Sequence, residues 1–204
     1  STPENLAFMV MELLVGESLE NTILREEPLP WGRSKVIILQ VCRALHAAHQ
    51  RGIIHRDIKP ENCWRMKRGA NPDFIKLLDF GIAKMHPQPG EPLEKLTKTG
   101  DVFGTPFYMS PEQALGRSAD ERSDVYSVGI MLYRMVTGTL PFTGSTAQDV
   151  LGKQIYELPI PPSERSPDCS PALEKALLRA LAKSPEERFS SIRALAEALS
   201  AIPS

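Results

Sequence analysis

One segment of the chain is apolar on almost every side. Residues 123–137 read SDVYSVGIMLYRMVT, and Gly138 comes next, with Pro141 shortly after it. A helix that is hydrophobic all round is buried on most sides rather than along one stripe. We therefore expect a domain in which other elements surround this helix. The 204 residues are enough for one large domain or two small ones.

Most of the second half is predicted to be helical. Ser170 and Pro171 are the residue types of a helix N-cap and a first helical position. Residues 158–167 are rich in proline and are predicted to form a loop. The predicted helices beside the apolar one are residues 146–156, a helix that begins at Ser170–Pro171, and a helix that follows Ser190.

The first half mixes strands and helices. Residues 33–51 form the clearest amphipathic helix, because apolar residues from Ile37 to Ala48 recur at a helical spacing ahead of Gly52. Residues 84–112 show no sustained period, and a segment of this length is usually functional. The other predicted elements are a buried strand running into a connector at 6–14, a short helix from Leu19 to Glu26, and short strands at Ile53–Ile54 and Phe74–Leu78.

Charge, cysteine and hydropathy patterns exclude several classes of protein. A formal net charge of −1 argues against a nucleic-acid surface built on bulk charge. Cys42, Cys63 and Cys169 are too few and too scattered for a disulfide scaffold or a paired-cysteine metal site, and they fit a reducing cytosol. No apolar run reaches the roughly 18–20 residues of a membrane span. The first residues show no signal-peptide pattern, and since they lack a starting Met we interpret the chain as a piece of a longer protein.

Three short motifs follow one another in a fixed order. HRDIKPEN spans residues 55–62, DFG spans 79–81 and SPE spans 110–112. This ordered set resembles the catalytic loop, the metal-binding motif and the loop-closing motif of protein kinases. The stretches LLDFGIAK and GTPFYMSPEQA are most similar to bacterial members of the eukaryotic-type (Hanks-type) serine/threonine kinases. The resemblance runs from about Phe8 to about Leu199.

The resemblance implies a fold and a division of the chain. The implied fold is mainly α with short β-strands, the α+β fold of a protein-kinase C-terminal lobe. Residues 1–16 would form the last strand of the N-terminal lobe and the hinge, and residues 17–200 would form the C-terminal lobe. Within that lobe the catalytic loop would be residues 55–62 and the activation segment residues 79–112.

The resemblance also implies a reaction, the transfer of the γ-phosphate of ATP to Ser or Thr hydroxyls with the help of Mg²⁺. Asp57 would be the base that orients the hydroxyl, Lys59 would neutralise charge on the transferring group, and Asn62 and Asp79 would hold the magnesium. Each residue taken singly also has a structural interpretation, as a turn residue, a cap or a solvated charge. A glycosidase pair of Asp57 and Asp79 is the rival chemistry, but it explains neither Lys59 nor Asn62.

Three further positions resemble nucleotide-binding residues. Glu12 and Leu14 lie where the backbone of the hinge would pair with adenine, beside Met11 as the gatekeeper, although an ordinary strand exit would look the same. Trp64 stands where the family usually has an aliphatic side chain beneath adenine. The indole would either stack on the base or crowd it, and a core tryptophan satisfied elsewhere is the alternative.

Control by phosphorylation is implied by Arg56 and by the long loop. The Arg56 guanidinium would clamp a phosphate on the loop, where Thr97 and Thr99 resemble autophosphorylation sites of bacterial relatives. The alternative is that threonines are simply common in exposed loops. Thr105 resembles the residue that touches Asp57 and Lys59 in serine/threonine kinases, and it argues for Ser or Thr rather than Tyr substrates.

Two interactions are expected to be structural. Glu112 would pair with Arg188 across the lobe, and such a buried pair is costly to break from one side. Asp124, at the head of the apolar helix, would accept hydrogen bonds from backbone N–H groups of the catalytic loop.

Two parts that kinases place ahead of the hinge do not occur in this sequence. The first glycine is Gly16 and the first lysine is Lys35, so no Gly-rich loop and no strand lysine precede the hinge positions. We therefore expect the 204-residue chain by itself to bind ATP weakly and to transfer phosphate negligibly, with apolar faces of His55 and Phe80 exposed. The alternative is a non-catalytic interaction module made of this lobe alone.

The expected partners follow from the resemblance. They are ATP and protein substrates with Ser or Thr acceptors, with no nucleic acid and no membrane contact within this segment. The expected location is the cytoplasm. The chain would have the same location as the cytoplasmic part of a larger, membrane-anchored protein.

Overall fold

The computed structural model describes residues 12–79 and 106–204. Helices and strands are numbered in chain order over these residues. The first range contains β1 (Glu17–Ser18), α1 (Leu19–Glu26), α2 (Trp31–His49), β2 (Cys63–Arg68) and β3 (Asn71–Leu77). The second contains α3 (Pro111–Ala114), α4 (Glu121–Thr137), α5 (Ala147–Tyr156), α6 (Pro162–Arg165), α7 (Pro171–Ala180) and α8 (Ile192–Ser200). Single 3-10 turns lie at Pro60–Asn62, Pro106–Tyr108 and Pro185–Glu187.

The all-round apolar helix of the sequence is α4, and it lies at the centre of the domain. Its residues from Ser123 to Thr137 are all buried, and it packs against α2, α7 and α8. Gly129 permits a close approach of α7, because a β-carbon there would lie 3.0 Å from that of Ala180. Gly138 ends the helix in the left-handed conformation, with φ 71°. The mainly helical fold with a small sheet is thereby confirmed.

The two helices of the first half form close to where the sequence predicts them. α1 has the predicted bounds, and the Ser18 side chain caps it by accepting a hydrogen bond from the Asn21 backbone N–H at 3.2 Å. α2 begins at Trp31 and ends at His49, two residues earlier at each end than the predicted 33–51. It starts early because Pro30 takes the N-cap position, where its carbonyl accepts from Ser34.

The small sheet corrects two expectations. Its strands lie in the order β1-β2-β3, and each neighbouring pair is antiparallel. β3 contains most of the predicted strand Phe74–Leu78, but its partner β2 was not predicted. Ile53–Ile54 is not a strand, because no described strand pairs with it and Ile53 is 47% exposed. Of the predicted strand 6–14, residues 12–14 have no regular structure and the rest lie outside the described residues.

The helices of the second half begin at polar caps. Thr146, Ser170 and Ser191 each accept a hydrogen bond from a backbone N–H in the first turn of α5, α7 and α8, respectively. The predicted loop 158–167 contains one helical turn, α6, which starts at a proline. Over the described ranges, the structure has no helix with the length and apolar character that crossing a bilayer requires.

Candidate active site

Asp124 fixes the start of the segment that holds the motif residues. It lies in the first turn of α4 with a side chain that is 0% exposed. Its carboxylate accepts hydrogen bonds from the backbone N–H groups of His55, at 3.0 Å, and Arg56, at 2.9 Å. His49 Nε2 of α2 lies 2.7 Å from the same carboxylate. The segment is therefore tied through its backbone to the central helix, as the sequence predicts.

The side chains of Asp57, Lys59 and Asn62 meet at one point. Lys59 Nζ lies 3.2 Å from Asp57 Oδ2. Asn62 Nδ2 donates to the Asp57 carbonyl at 2.8 Å and lies 3.2 Å from Asp57 Oδ2. Because these contacts occupy the amide nitrogen, the Asn62 Oδ1 atom is the one left to serve as a metal ligand. The cluster provides a carboxylate with a cation on one side and an amide on the other.

The hairpin of β2 and β3 brings Asp79 next to this cluster. The strands are antiparallel, so the start of β2 lies beside the end of β3, and the Leu78 N–H donates to the Asn62 carbonyl at 2.9 Å. Asp79 follows Leu78 directly, is exposed, and has a φ of 50°. A carboxylate and an amide oxygen at this edge are the hard oxygen ligands that suit Mg²⁺. The residues therefore fit a magnesium ion that keeps several further ligands of its own.

His55 does not expose an apolar face, which corrects an expectation. The residue is 0% exposed, and its Nε2 lies 2.9 Å from the Leu78 carbonyl oxygen. The ring is buried because it fills the space between the motif segment and the end of β3. Some residues with an expected role lie outside the described residues. They are Met11, Phe80, Gly81, Thr97, Thr99 and Thr105.

The two predicted hinge positions, Glu12 and Leu14, lie close to the small sheet. The Glu12 carboxylate forms an ion pair with Lys76 of β3, and its side chain is 65% exposed, as expected for a segment that contributes backbone rather than side-chain contacts. Leu14 is half-buried. The ion pair places the predicted hinge segment beside the strand that leads to Asp79.

Trp64 projects from β2 toward this same hinge. It lies opposite Ser18 of β1 and Lys76 of β3, so its side chain shares a face with the lysine that binds Glu12. A β-carbon at Gly16 would lie 3.1 Å from Trp64 Nε1. The Nε1 atom is buried and has no hydrogen-bond partner among the described residues. The indole is thus packed under the hinge segment, and the neighbouring Cys63 faces the central core instead.

Arg56 and Gln113 form a contact that the sequence reasoning missed. Gln113 Nε2 of α3 donates to the Arg56 carbonyl at 2.8 Å. Gln113 Oε1 in turn accepts from the Ser110 backbone N–H at 3.1 Å, which completes a capping box. The pattern Ser-x-x-Gln was a visible signal for such a box, but nothing in it indicates the second contact. The Arg56 Nε atom is buried and finds no hydrogen-bond partner among residues 12–79 and 106–204.

Glu112 and Arg188 form the expected pair in the interior. Both Nη atoms of Arg188 donate to the Glu112 carboxylate at 2.8 Å, and the arginine side chain is 0% exposed. Burial alone would raise the pKa of Glu112, but hydrogen bonds from Arg188 and Ser123 and the arginine charge together lower it to about 2. The pair anchors α3, and with it Gln113, to the segment between α7 and α8.

Comparison with known proteins agrees with this geometry. The family model described as protein kinase domain matches residues 2–200. The chain belongs to the protein kinase family. It is 47% identical over 197 residues to the serine/threonine-protein kinase pkn3 of Myxococcus xanthus, an alignment that covers 96% of this chain and 36% of that kinase. It is also 44% identical to Pkn1 of the same organism, with 94% and 27% covered, and 42% identical to PknB of Mycolicibacterium smegmatis, with 90% and 28% covered.

The kinase chain therefore spans about a third of the length of the curated relatives it matches. All three of these relatives are bacterial proteins named as serine/threonine-protein kinases, as the sequence around the DFG and SPE motifs predicts.

Proposed function

We propose that this chain is part of the catalytic domain of a serine/threonine protein kinase. The observation that carries the proposal is the Asp57 carboxylate, flanked by Lys59 and Asn62, with Asp79 at the adjoining end of β3. We assign residues 1–16 to the last N-lobe strand and the hinge and residues 17–200 to the C-terminal lobe. The free, buried thiols Cys42, Cys63 and Cys169 fit a cytoplasmic location.

The chemistry assigned to each residue follows from its contacts. Asp57 accepts a hydrogen bond from the substrate hydroxyl and takes its proton, since an ionised carboxylate accepts without donating. Lys59 is close enough to Asp57 to place its charge beside the transferring group. Bound ATP would supply the phosphoryl group, and its magnesium ion would neutralise the phosphate charge. Asn62 and Asp79 would hold the metal with oxygen atoms, and Glu12, Leu14 and Trp64 would line the adenine-binding site.

We expect Asp79→Asn to weaken magnesium-dependent nucleotide binding by at least about tenfold, because the metal loses its charged ligand. Binding of a fluorescent ATP analogue to the whole gene product, with and without Mg²⁺, measures the effect. Asp168→Asn is the matched control, since Asp168 is exposed and remote from the hairpin. Equal magnesium dependence in both variants would contradict the metal assignment.

We propose that Arg56 takes part in regulation by binding a phosphate on the long loop. Its Nε atom is buried and has no partner among the described residues, and a guanidinium can clamp a phosphate through two parallel hydrogen bonds. We expect the double variant Thr97→Ala with Thr99→Ala to lower turnover several-fold, because the loop can no longer place a phosphate on Arg56. Initial rates on a generic protein substrate, before and after preincubation with ATP, test this. Full activity of the double variant at every time point would argue against loop control.

The alternative of a non-catalytic interaction module makes a different prediction. If the whole gene product bound nucleotide but transferred no phosphate with Asp57, Asn62 and Asp79 intact, that interpretation would replace the kinase.

A further inference from the structure

The backbone of Arg56, the residue before Asp57, is held in an unfavourable conformation. Arg56 has a φ of 63°, in the left-handed region that a side chain with a β-carbon disfavours. A residue stays there only when its surroundings hold it. The next residue is Asp57, so the orientation of the peptide between Arg56 and Asp57 determines the position from which the proposed catalytic side chain projects.

Two side chains from the second half of the chain hold Arg56 by its backbone. Asp124 of α4 accepts from the Arg56 N–H at 2.9 Å. Gln113 of α3 donates to the Arg56 carbonyl at 2.8 Å. The backbone polar groups on both sides of the left-handed residue are therefore fixed by separate helices.

The contact with Gln113 acts on the orientation of the following residue. The Arg56 carbonyl belongs to the same planar unit as the Asp57 N–H, and the Asp57 N–H lies 3.4 Å from His55 Nδ1. Fixing the carbonyl direction therefore fixes the plane from which the Asp57 side chain projects. Asp124 accepts from the N–H groups of His55 and Arg56, which belong to the two preceding peptides, whereas the described contact on the Arg56 carbonyl comes from Gln113.

Gln113 is itself held on a rigid support. Its Oε1 atom accepts from the Ser110 N–H and hydroxyl, so its Nε2 atom faces Arg56. With the amide reversed, Oε1 would lie against the Arg56 carbonyl oxygen, and neither atom can donate a hydrogen bond. The neighbouring residue Glu112 is bound by Arg188 through two hydrogen bonds. The donor that meets the Arg56 carbonyl is thus fixed both by the capping box and by a buried ion pair.

We propose that Gln113 is a positioning residue for catalysis, which orients Asp57 by clamping the Arg56 carbonyl. The inference rests on the proposed kinase function and adds to it a contact between α3 and the catalytic loop. Gln113 does not touch the reacting atoms. We expect its effect to be on turnover rather than on nucleotide affinity, because the hinge and Asp79 lie on other elements and Asn62 lies in the turn Pro60–Asn62 at the far end of the catalytic loop.

Gln113→Glu separates the clamp from the helix cap. The glutamate keeps the acceptor for the Ser110 N–H but loses the donor for the Arg56 carbonyl. We expect kcat to fall by about ten- to a hundredfold, since small misplacements of catalytic groups have effects of this size, with ATP affinity unchanged. Gln113→Met, which loses both contacts, should show the same loss of kcat. Both variants are assayed in the whole gene product, below the temperature at which each unfolds.

Gln40→Met is the matched control. Gln40 also bridges backbone groups, donating to the Asp73 carbonyl at 2.7 Å and accepting from the Ile75 N–H at 3.2 Å, but these groups belong to β3 and not to the catalytic loop. It should lower the melting temperature without lowering kcat. Wild-type kcat in Gln113→Glu, or an equal loss of kcat in Gln40→Met, would overturn the inference. Asp57→Asn is assayed in parallel: if it stayed active, the kinase proposal itself would fail, whereas with an inactive Asp57→Asn the kcat of Gln113→Glu tests the role of Gln113 alone.

Discussion

Replacing Asp57 by Asn is expected to lower phosphoryl transfer by at least about a hundredfold, the usual range for loss of a general base. The amide has the shape of the carboxylate and keeps an oxygen toward the Asn62 amide, which lies 3.2 Å from Asp57 Oδ2. It cannot take a proton from the hydroxyl. Nucleotide affinity should stay nearly unchanged, because in the proposed site Asp57 binds the acceptor, whereas Asp79 and Asn62 bind the metal.

Two measurements on the same preparation of the whole gene product distinguish these roles. Transfer of labelled phosphate to a protein substrate reports turnover, and displacement of a fluorescent ATP analogue reports affinity. Asp79→Asn, in contrast to Asp57→Asn, is expected to weaken nucleotide binding. If Asp57→Asn kept most of its turnover, or lost nucleotide affinity to the same extent as Asp79→Asn, the division of roles between the two aspartates would be wrong.

The sequence was informative where a pattern is enforced by burial. The helix α4 could be predicted because its residues from Ser123 to Thr137 are apolar on almost all sides, and a helix of this kind is buried in the core. The cap at Ser170 and the helix end at Gly138 follow from local rules, and both are confirmed. The Glu112–Arg188 pair, 76 residues apart, was reached only through the resemblance to a family.

The errors fall where tertiary contacts override local preference. The strand β2 reads CWRMKR, which looks like a polar loop, but Arg65 is neutralised by Glu17 at 2.8 Å and Asp73 at 3.0 Å across the sheet. Ile53–Ile54 has the composition of a strand and no described strand beside it. The contact of Gln113 with the Arg56 carbonyl could not be predicted. It depends on the left-handed conformation of Arg56 and on a helix more than fifty residues downstream.

Arg188→Met is expected to have the largest effect on stability. Methionine fills a similar volume but leaves the Glu112 carboxylate, 9% exposed, without its cation. Arg188 also donates to the carbonyls of Ala182, Lys183 and Arg122, at 2.8 to 3.0 Å, and these lose their partner as well. Breaking a buried pair from one side costs about 3–5 kcal/mol. For a domain of this size that corresponds to a fall in melting temperature of roughly 10 °C or more.

Thermal unfolding of the whole gene product tests this, followed through the transition of this domain. Arg193→Met is the control, because its pair with Glu197 is 67% and 63% exposed and is worth little, about 0.5 kcal/mol at most. The difference between wild type and Arg188→Met should also depend on pH. The pKa of Glu112 is lowered to about 2 from an ordinary value of 4.5, so its ionised form stabilises the fold above about pH 4.5 and this contribution is lost as the pH falls toward 2. The difference between the two proteins should therefore narrow in acid, and a melting temperature for Arg188→Met within about 2 °C of wild type at neutral pH would show that the ion pair does not stabilise the fold.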